Sequence, residues 1–426
     1  MRIGIELRRN MAWVLGGVVV VSLLVLYAVT WANYQFTLQY GGGYEFVTHW
    51  LGARLFLFNG ISPYGDEAAV LIRAAANEIT PGVGIFTPPD ENLLRFVTPL
   101  YSIVLYLPYV FMKTPELGRA IWMTILEAAL VGQALLAMKI VSWRPGRVGQ
   151  IVFVLVFMTW YPSVQSVIEG NPSILVSLFV IGGLVAIRNK GYELAGVLFA
   201  FTTIKINVAL LFVIFILGWA YRQRNWKLIG WFFGTIVLLG ASVTLLMPDW
   251  LTGYMQSLVQ FFTDNPLNAL GGILSGELPG TGERIGWLLL GIMAAVVLLE
   301  WAILRRKEYH IFLWTASLTL VASQWIGVRL NAANLNLLFP VLVFIFWLWG
   351  ERWKRVGVIA SIVLLVVMLF GVWGIYWGRS GKPLDESSLL LIPLPVLLML
   401  VLYWVRWWAI RSPNLWFDSL AEDFSD

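Results

Sequence analysis

The chain has 426 residues, of which 59% are apolar and only 12% charged, with a mean hydropathy of +0.78. Soluble domains carry about 25% charged residues, so the composition excludes a water-soluble globule and indicates an all-α polytopic membrane protein. The net charge of +5 would suggest nucleic acid as the partner of a soluble protein; here the cations cluster between apolar runs as topology signals, and membrane lipids rather than nucleic acid are the expected surroundings.

In chain order, the first apolar run, Met11 to about Trp31, follows Arg2, Arg8 and Arg9. It reads as a retained transmembrane helix, an uncleaved signal anchor with its N-terminus in the cytoplasm. Further spans are predicted at 119–141, 150–168, 172–188, 193–204, 206–221, 228–246, 285–304, 310–328, 334–349, 356–377 and 389–410, about twelve in all. Most Lys and Arg fall on one side of this layout and most acids on the other, as the positive-inside rule requires. The chain is therefore read as one integral membrane domain over 1–426. Residues 34–118 form its first extracytoplasmic loop, 247–284 a second, and 411–426 a cytoplasmic tail. The expected location is the bacterial plasma membrane, multi-pass.

The first loop holds GGGYEFVTHWLGARLFLFNGISPY, residues 41–64. As a helix from about Tyr44 to Phe58 it puts Glu45 and His49 on one face, four residues apart, and lets Trp50, Leu51, Leu55 and Phe58 rest on an apolar surface. Arg54 is the third ionisable group of this stretch. A second interfacial helix is expected over 98–112, too short and too rich in proline to span, with an irregular stretch PGVGIFTPPDEN before it.

Polar residues at membrane depth persist chiefly where they line a cavity. Three such segments converge on the first loop: IEGNPS with Glu169 and Asn171, TTIKIN with Lys205 at the tip of a short hairpin, and GVRLNAANLN with Arg329, Asn331, Asn334 and Asn336. Each alone also reads as a capped helix end, and Glu127, inside a span, reads equally as a structural partner. Together they supply an acid, cations and amides. That set suits transfer from a lipid-linked phosphate: a carboxylate removes a proton from an acceptor hydroxyl while fixed cations stabilise the departing phosphate. Cysteine is absent and the two histidines, His49 and His310, lie far apart in sequence, so no metal site and no other cofactor is expected.

The order GYEFVTHWLGARLFLFNGISPY, IEGNPSILVSLFVIGG and ELAGVLFAFTTIKINVALLFVIFILGWAYRQRNWK, over about residues 40–230, resembles glycosyltransferase family 87, polyprenyl-phosphate-mannose-dependent mannosyltransferases of the GT-C superfamily. The resemblance implies a GT-C-like helical bundle and an external first loop carrying the catalytic acid, here Glu45. It further implies a polyprenyl-phosphate sugar donor, a lipid or glycan acceptor, and inversion at the anomeric carbon. Lys205 and Arg329 are expected at the donor phosphate, and His49, Arg54, Glu169, Asn171, Asn331 and Asn334 at the substrates. Glu45-Phe46 stands where the family commonly has Asp-Phe, and Gly170-Asn171-Pro172-Ser173 only partly keeps Gly-Gln-x-Asn. Against these stand a transporter or lipid flippase, for which no repeat halves are visible, and a noncatalytic scaffold.

Overall fold

A computed structural model describes residues 2–78, 94–264, 270–271, 274–275, 278–304, 308–325, 332–378 and 393–410. Among them there is no strand. The helices are α1 (Arg2–Gln39), α2 (Tyr44–Arg54), α3 (Asp66–Glu78), α4 (Pro115–Ile140), α5 (Arg147–Thr159), α6 (Tyr161–Glu169), α7 (Ser173–Arg188), α8 (Tyr192–Phe201), α9 (Ile206–Arg222), α10 (Trp226–Thr244), α11 (Trp250–Asp264), α12 (Gly282–Ile303), α13 (Tyr309–Ala322), α14 (Phe339–Trp353), α15 (Arg355–Gly378) and α16 (Pro393–Ile410). The tail 411–426 lies outside the described residues, as does part of the second loop.

Seven described stretches are long and apolar enough to cross a membrane, or eight when α5 and α6, bent by 54° at Trp160, are taken as one. The twelve expected segments overlap helices over their described residues, 326–328 and 389–392 lying outside these, and the seven or eight stretches are those that meet the length and apolarity of a full span. Helices such as α7 and α13 are shorter than the roughly 20 residues a bilayer requires. One of the seven stretches, Tyr192–Arg222, has 31 residues, yet it is not a straight rod. In a straight helix Phe199 and Phe212 would stand about 20 Å apart, whereas their ring centroids are 5.7 Å apart. Lys227, just beyond α9, also pairs with Glu193 at the start of α8 at 2.7 Å. The chain reverses through a 3-10 turn, Thr202–Lys205, which puts Lys205 at a hairpin tip.

Helix α14 and the 3-10 turn before it, Ala332–Leu338, are buried almost throughout and form the centre of the bundle with α7 and α13. The outer helices are apolar on their exposed faces, as with Val18–Val21 on α1, Val237 and Leu238 on α10, and Val363 and Phe370 on α15. An exterior of this kind is stable only against lipid, where helices satisfy their own backbone polar groups. At one end lie the basic turns: Arg188 bonds the Lys139 carbonyl and Ser142, Arg222 bonds the Trp301 carbonyl, and Tyr309 Oη donates to Ile140 O at 3.2 Å.

The first loop occupies the other end. Helix α2 continues through a π turn, Leu55–Asn59, close to the extent expected. The expected helix over 98–112 is instead a run of 3-10 turns, Leu100–Leu105 and Leu107–Tyr109. Pro108 has no N–H and its ring would clash with the carbonyl four residues back, so bonds of the i→i+3 type carry the backbone, including Tyr106 N to Ile103 O and Tyr109 N to Tyr106 O. The loop's second α-helix is α3, whose buried face is Ala68, Ala69, Ile72 and Ala76. Asp66 and Glu67 occupy its first turn, where acids favour the helix dipole. The second loop contributes α11, which covers the first: Ser257 Oγ donates to Phe96 O at 3.0 Å and Arg95 bonds Gln260.

Ser142 at the basic end and Asp66 at the loop end are both exposed. Single cysteines introduced at each, in a chain that has none of its own, are expected to react with an impermeant thiol reagent from opposite sides of a sealed vesicle. Equal labelling from one side contradicts the fold's polarity.

Candidate active site

The Gly41–Gly43 segment leading into α2 is held against the turn that follows α6. Arg119 on α4, only 2% exposed, donates to Tyr40 O, Gly41 O and Ile168 O at 3.2, 3.3 and 3.0 Å. Gly43 has φ +84°, and a Cβ there would lie 2.5 Å from Arg119 Nε. On the facing turn Gly170 has φ +71°, and its Cβ would lie 2.6 Å from Phe46 Cβ. Trp122 Nε1 donates to Gly170 O at 2.9 Å, fixing the turn to α4. Glycine is required at both positions by backbone conformation and by close approach, and this contact brings Glu45 beside Asn171.

Lys205 joins these two segments to the hairpin tip. Its Nζ donates to Glu45 Oε1 and to Asn171 Oδ1, each at 2.9 Å. Asn171 is fully buried, and its Oδ1 also accepts Ser173 N–H at 3.0 Å, so the amide orientation is fixed by two donors. The Glu45 side chain remains 30% exposed and Lys205 only 10%. Burial opposes ionisation of Glu45, but the charge and hydrogen bond of Lys205 outweigh it and hold the carboxyl below its usual range. Glu169 also interacts electrostatically with Glu45 and Lys205, and its Oε1 accepts from Gln165 Nε2 at 2.7 Å.

His49 is buried, and its Nδ1 lies 2.6 Å from Glu45 O. A carbonyl only accepts, so Nδ1 carries the proton and Nε2 is the bare nitrogen. Burial lowers the imidazole pKa against the opposing pull of Glu45, so the ring is neutral near pH 7. It stacks on Tyr106 with centroids 4.9 Å apart at 12°. Burial raises the Tyr106 phenol well above 10, with Glu45 adding to the effect, so this hydroxyl keeps its proton. Behind the group a polar lattice ties α6, α7 and the Ala332–Leu338 turn. Ser163 Oγ donates to Asn336 Oδ1 and Ser177 Oγ to Asn336 O, both at 2.9 Å, while Ser173 Oγ lies 3.3 Å from Asn334 Oδ1.

Of the residues singled out in the sequence, Glu45, His49, Glu169, Asn171 and Lys205 thus come together, with Asn334 one bond further away. Arg329 and Asn331 lie outside the described residues. Arg54 is committed elsewhere: it donates to Val110 O and Met112 O at 3.0 and 2.7 Å and lies over the Trp50 ring, fastening α2 to the 3-10 run. Glu127 accepts from Asn33 Nδ2 at 3.0 Å, joining α1 to α4. Sequence reasoning missed Arg119, Gln165 and Tyr106. An arginine at the mouth of a span, directly after Gly118, was the available signal for the first.

An anionic base, one ammonium and buried amides at an apolar interface can accept a proton from a hydroxyl and balance the charge of a phosphate. Among the described residues no group of three or more acids and histidines could hold a metal ion. The sequence model of the family described as Glycosyltransferase family 87 matches residues 96–326, more than half of the chain. The match includes Glu169, Asn171 and Lys205 and begins beyond Glu45 and His49. No curated protein matches, and no solved structure does.

Gly170→Ala is expected to destabilise the fold by about 2–4 kcal/mol, from the left-handed backbone and the contact with Phe46. Thermal unfolding in detergent reads this directly, and a variant melting with the wild type contradicts the close approach.

Proposed function

The chain belongs to glycosyltransferase family 87 and is a multi-pass membrane glycosyltransferase, and from that premise we propose that it moves a sugar, mannose by the family resemblance, from a polyprenyl-phosphate donor to a hydroxyl of a lipid or glycan acceptor. The reaction takes place at the loop end of a GT-C-like bundle of about twelve membrane passes, some of them short. That end faces the extracytoplasmic side of a bacterial plasma membrane.

The observation that carries this reading is the Lys205 bridge between Glu45 and Asn171 at the open edge of the first loop. Glu45 is the general base. It takes the proton of the acceptor hydroxyl as that oxygen attacks the anomeric carbon, and the carbon–oxygen bond to the phosphate breaks with its electron pair on the leaving phosphate. The lipid phosphate departs as an anion and needs no proton, so one base suffices. Attack opposite the leaving group inverts the anomeric centre. Lys205 balances the phosphate charge, joined in this reading by Arg329. His49, Glu169, Asn171, Asn331 and Asn334 contact the substrates through hydroxyl groups. Arg54 has a supporting part, since its guanidinium holds the wall of the loop.

A flippase or transporter reading would also explain charges at helix ends. It gives no reason for an acid on the first loop to be paired with an ammonium at the hairpin tip, and membership of a transferase family disfavours it.

Glu45→Gln is expected to retain the fold and lower single-turnover sugar transfer by about two to four orders of magnitude. Transfer near the wild-type rate moves the base to Glu169, Asp66 or Glu67. The pH profile gives a second expectation. A carboxyl held below its usual range stays ionised and active as pH falls through that range. In Lys205→Met the residual activity should be lost at higher pH, with the acid limb displaced upward by roughly 1–3 units. An acid limb unmoved by loss of the lysine contradicts the Glu45–Lys205 coupling.

A further inference from the structure

The lysine expected to hold the donor phosphate is already bound to the base. An ammonium has three N–H donors, and Lys205 uses two of them, on Glu45 Oε1 and Asn171 Oδ1. The two acceptors differ in how they are held. Asn171 is fully buried and its Oδ1 is fixed from behind by Ser173 N–H, whereas Glu45 sits on the first loop with 30% of its side chain exposed. Asn171 is therefore the fixed pivot of the ammonium, and Glu45 the partner that can be exchanged.

Two consequences of the pairing conflict with the reaction. A carboxylate whose charge is neutralised by an ammonium at 2.9 Å is a poor proton acceptor, because the partner stabilises the unprotonated form. A phosphodiester approaching a neutral Lys–Glu pair also gains far less than one approaching a free cation. A single exchange removes both difficulties. Resting on the proposed transfer reaction, we infer that Lys205 is shared between Glu45 and the donor phosphate: the phosphate draws the ammonium across its Asn171 pivot, and Glu45 becomes an unpaired base only once the donor is seated. The donor binds first, and the base stays capped in its absence, which limits reaction with water or a stray hydroxyl.

Among the described residues, the other ionisable groups around Glu45 leave Lys205 as its cation, Arg54 on the same helix being bonded to Val110 O and Met112 O. On its own helix His49 is neutral and bonded to the Glu45 carbonyl. From α6 comes Glu169, a second acid. The 3-10 run contributes Tyr106, whose phenol stays protonated. On α4, Arg119 is committed to three backbone carbonyls, and on α3 Arg73 to Ala69 O.

The test is binding without catalysis. The probe is a polyprenyl methyl phosphate, a diester that carries one negative charge across the range used and has no sugar to transfer. Its affinity is measured by titration in lipid nanodiscs between about pH 5 and about pH 8. If the lysine is shared, Glu45 loses its counter-ion in the complex and takes up a proton there more readily than in the free protein, so wild-type affinity rises as pH falls, by at most tenfold per unit. Glu45→Gln, which cannot hold the ammonium as a counter-ion, is expected to bind about tenfold tighter than wild type at pH 8 and to show a flatter pH dependence, the remainder belonging to Glu169. Glu45→Ala should do the same, and Lys205→Met should bind weakly at every pH. Thermal unfolding of each variant confirms that a folded protein is compared. Affinity in both Glu45 variants equal to or below that of the wild type, with the pH dependence intact, overturns the sharing. That outcome leaves the base assignment standing, because Glu45 as base is judged by transfer and not by binding.

Discussion

Everything at the loop end depends on how one ammonium is neutralised. Lys205 sits at the tip of a hairpin in an apolar bundle, where an unpaired charge is costly. Its partners come from segments 160 and 34 residues away in sequence. To reach both, the hairpin must reverse at residues 202–205, the turn after α6 must bring Asn171 up from behind, and the first loop must fold back over the bundle. The glycines at 43 and 170 allow the backbones to approach, and Arg119 fixes the approach from α4. A site assembled this way depends on the packing of four separate segments. It offers a partly exposed acid beside a buried cation, which is the polarity required for drawing a proton from one substrate while holding the charge of another.

The parts legible in the sequence were those where a charge interrupts an apolar run. Lys205 stood out because basic clusters on both sides left too few residues for two full crossings, and the reversal shown by the Phe199–Phe212 contact follows from that count. Glu45 and His49 were legible because a four-residue spacing on a helix puts both on one face. For Arg54 the sequence does not reveal whether a charge near a suspected site pairs with substrate groups or with backbone carbonyls, and its described partners are the carbonyls of Val110 and Met112.

Other features left no signal that hydropathy can detect. The buried face of α3 is three alanines and an isoleucine, too weak in side-chain size to stand out from a polar loop. The 98–112 segment has an apolar composition, but its prolines set the hydrogen-bond pattern, and 3-10 turns replaced the expected helix. Hydropathy also does not say which segments cross in full: α7 and α13 are apolar yet shorter than the roughly 20 residues of a crossing.

The central claim is that a base-activated hydroxyl displaces a lipid phosphate directly from the sugar carbon. Product stereochemistry tests this most directly. Purified protein would be given a polyprenyl-phosphate sugar of one defined anomeric configuration and an acceptor lipid, and the anomeric proton coupling of the product read by nuclear magnetic resonance. The expected result is transferred sugar of inverted configuration together with free polyprenyl phosphate. Retained configuration, or movement of lipid across the bilayer with the donor unconsumed, would contradict the account.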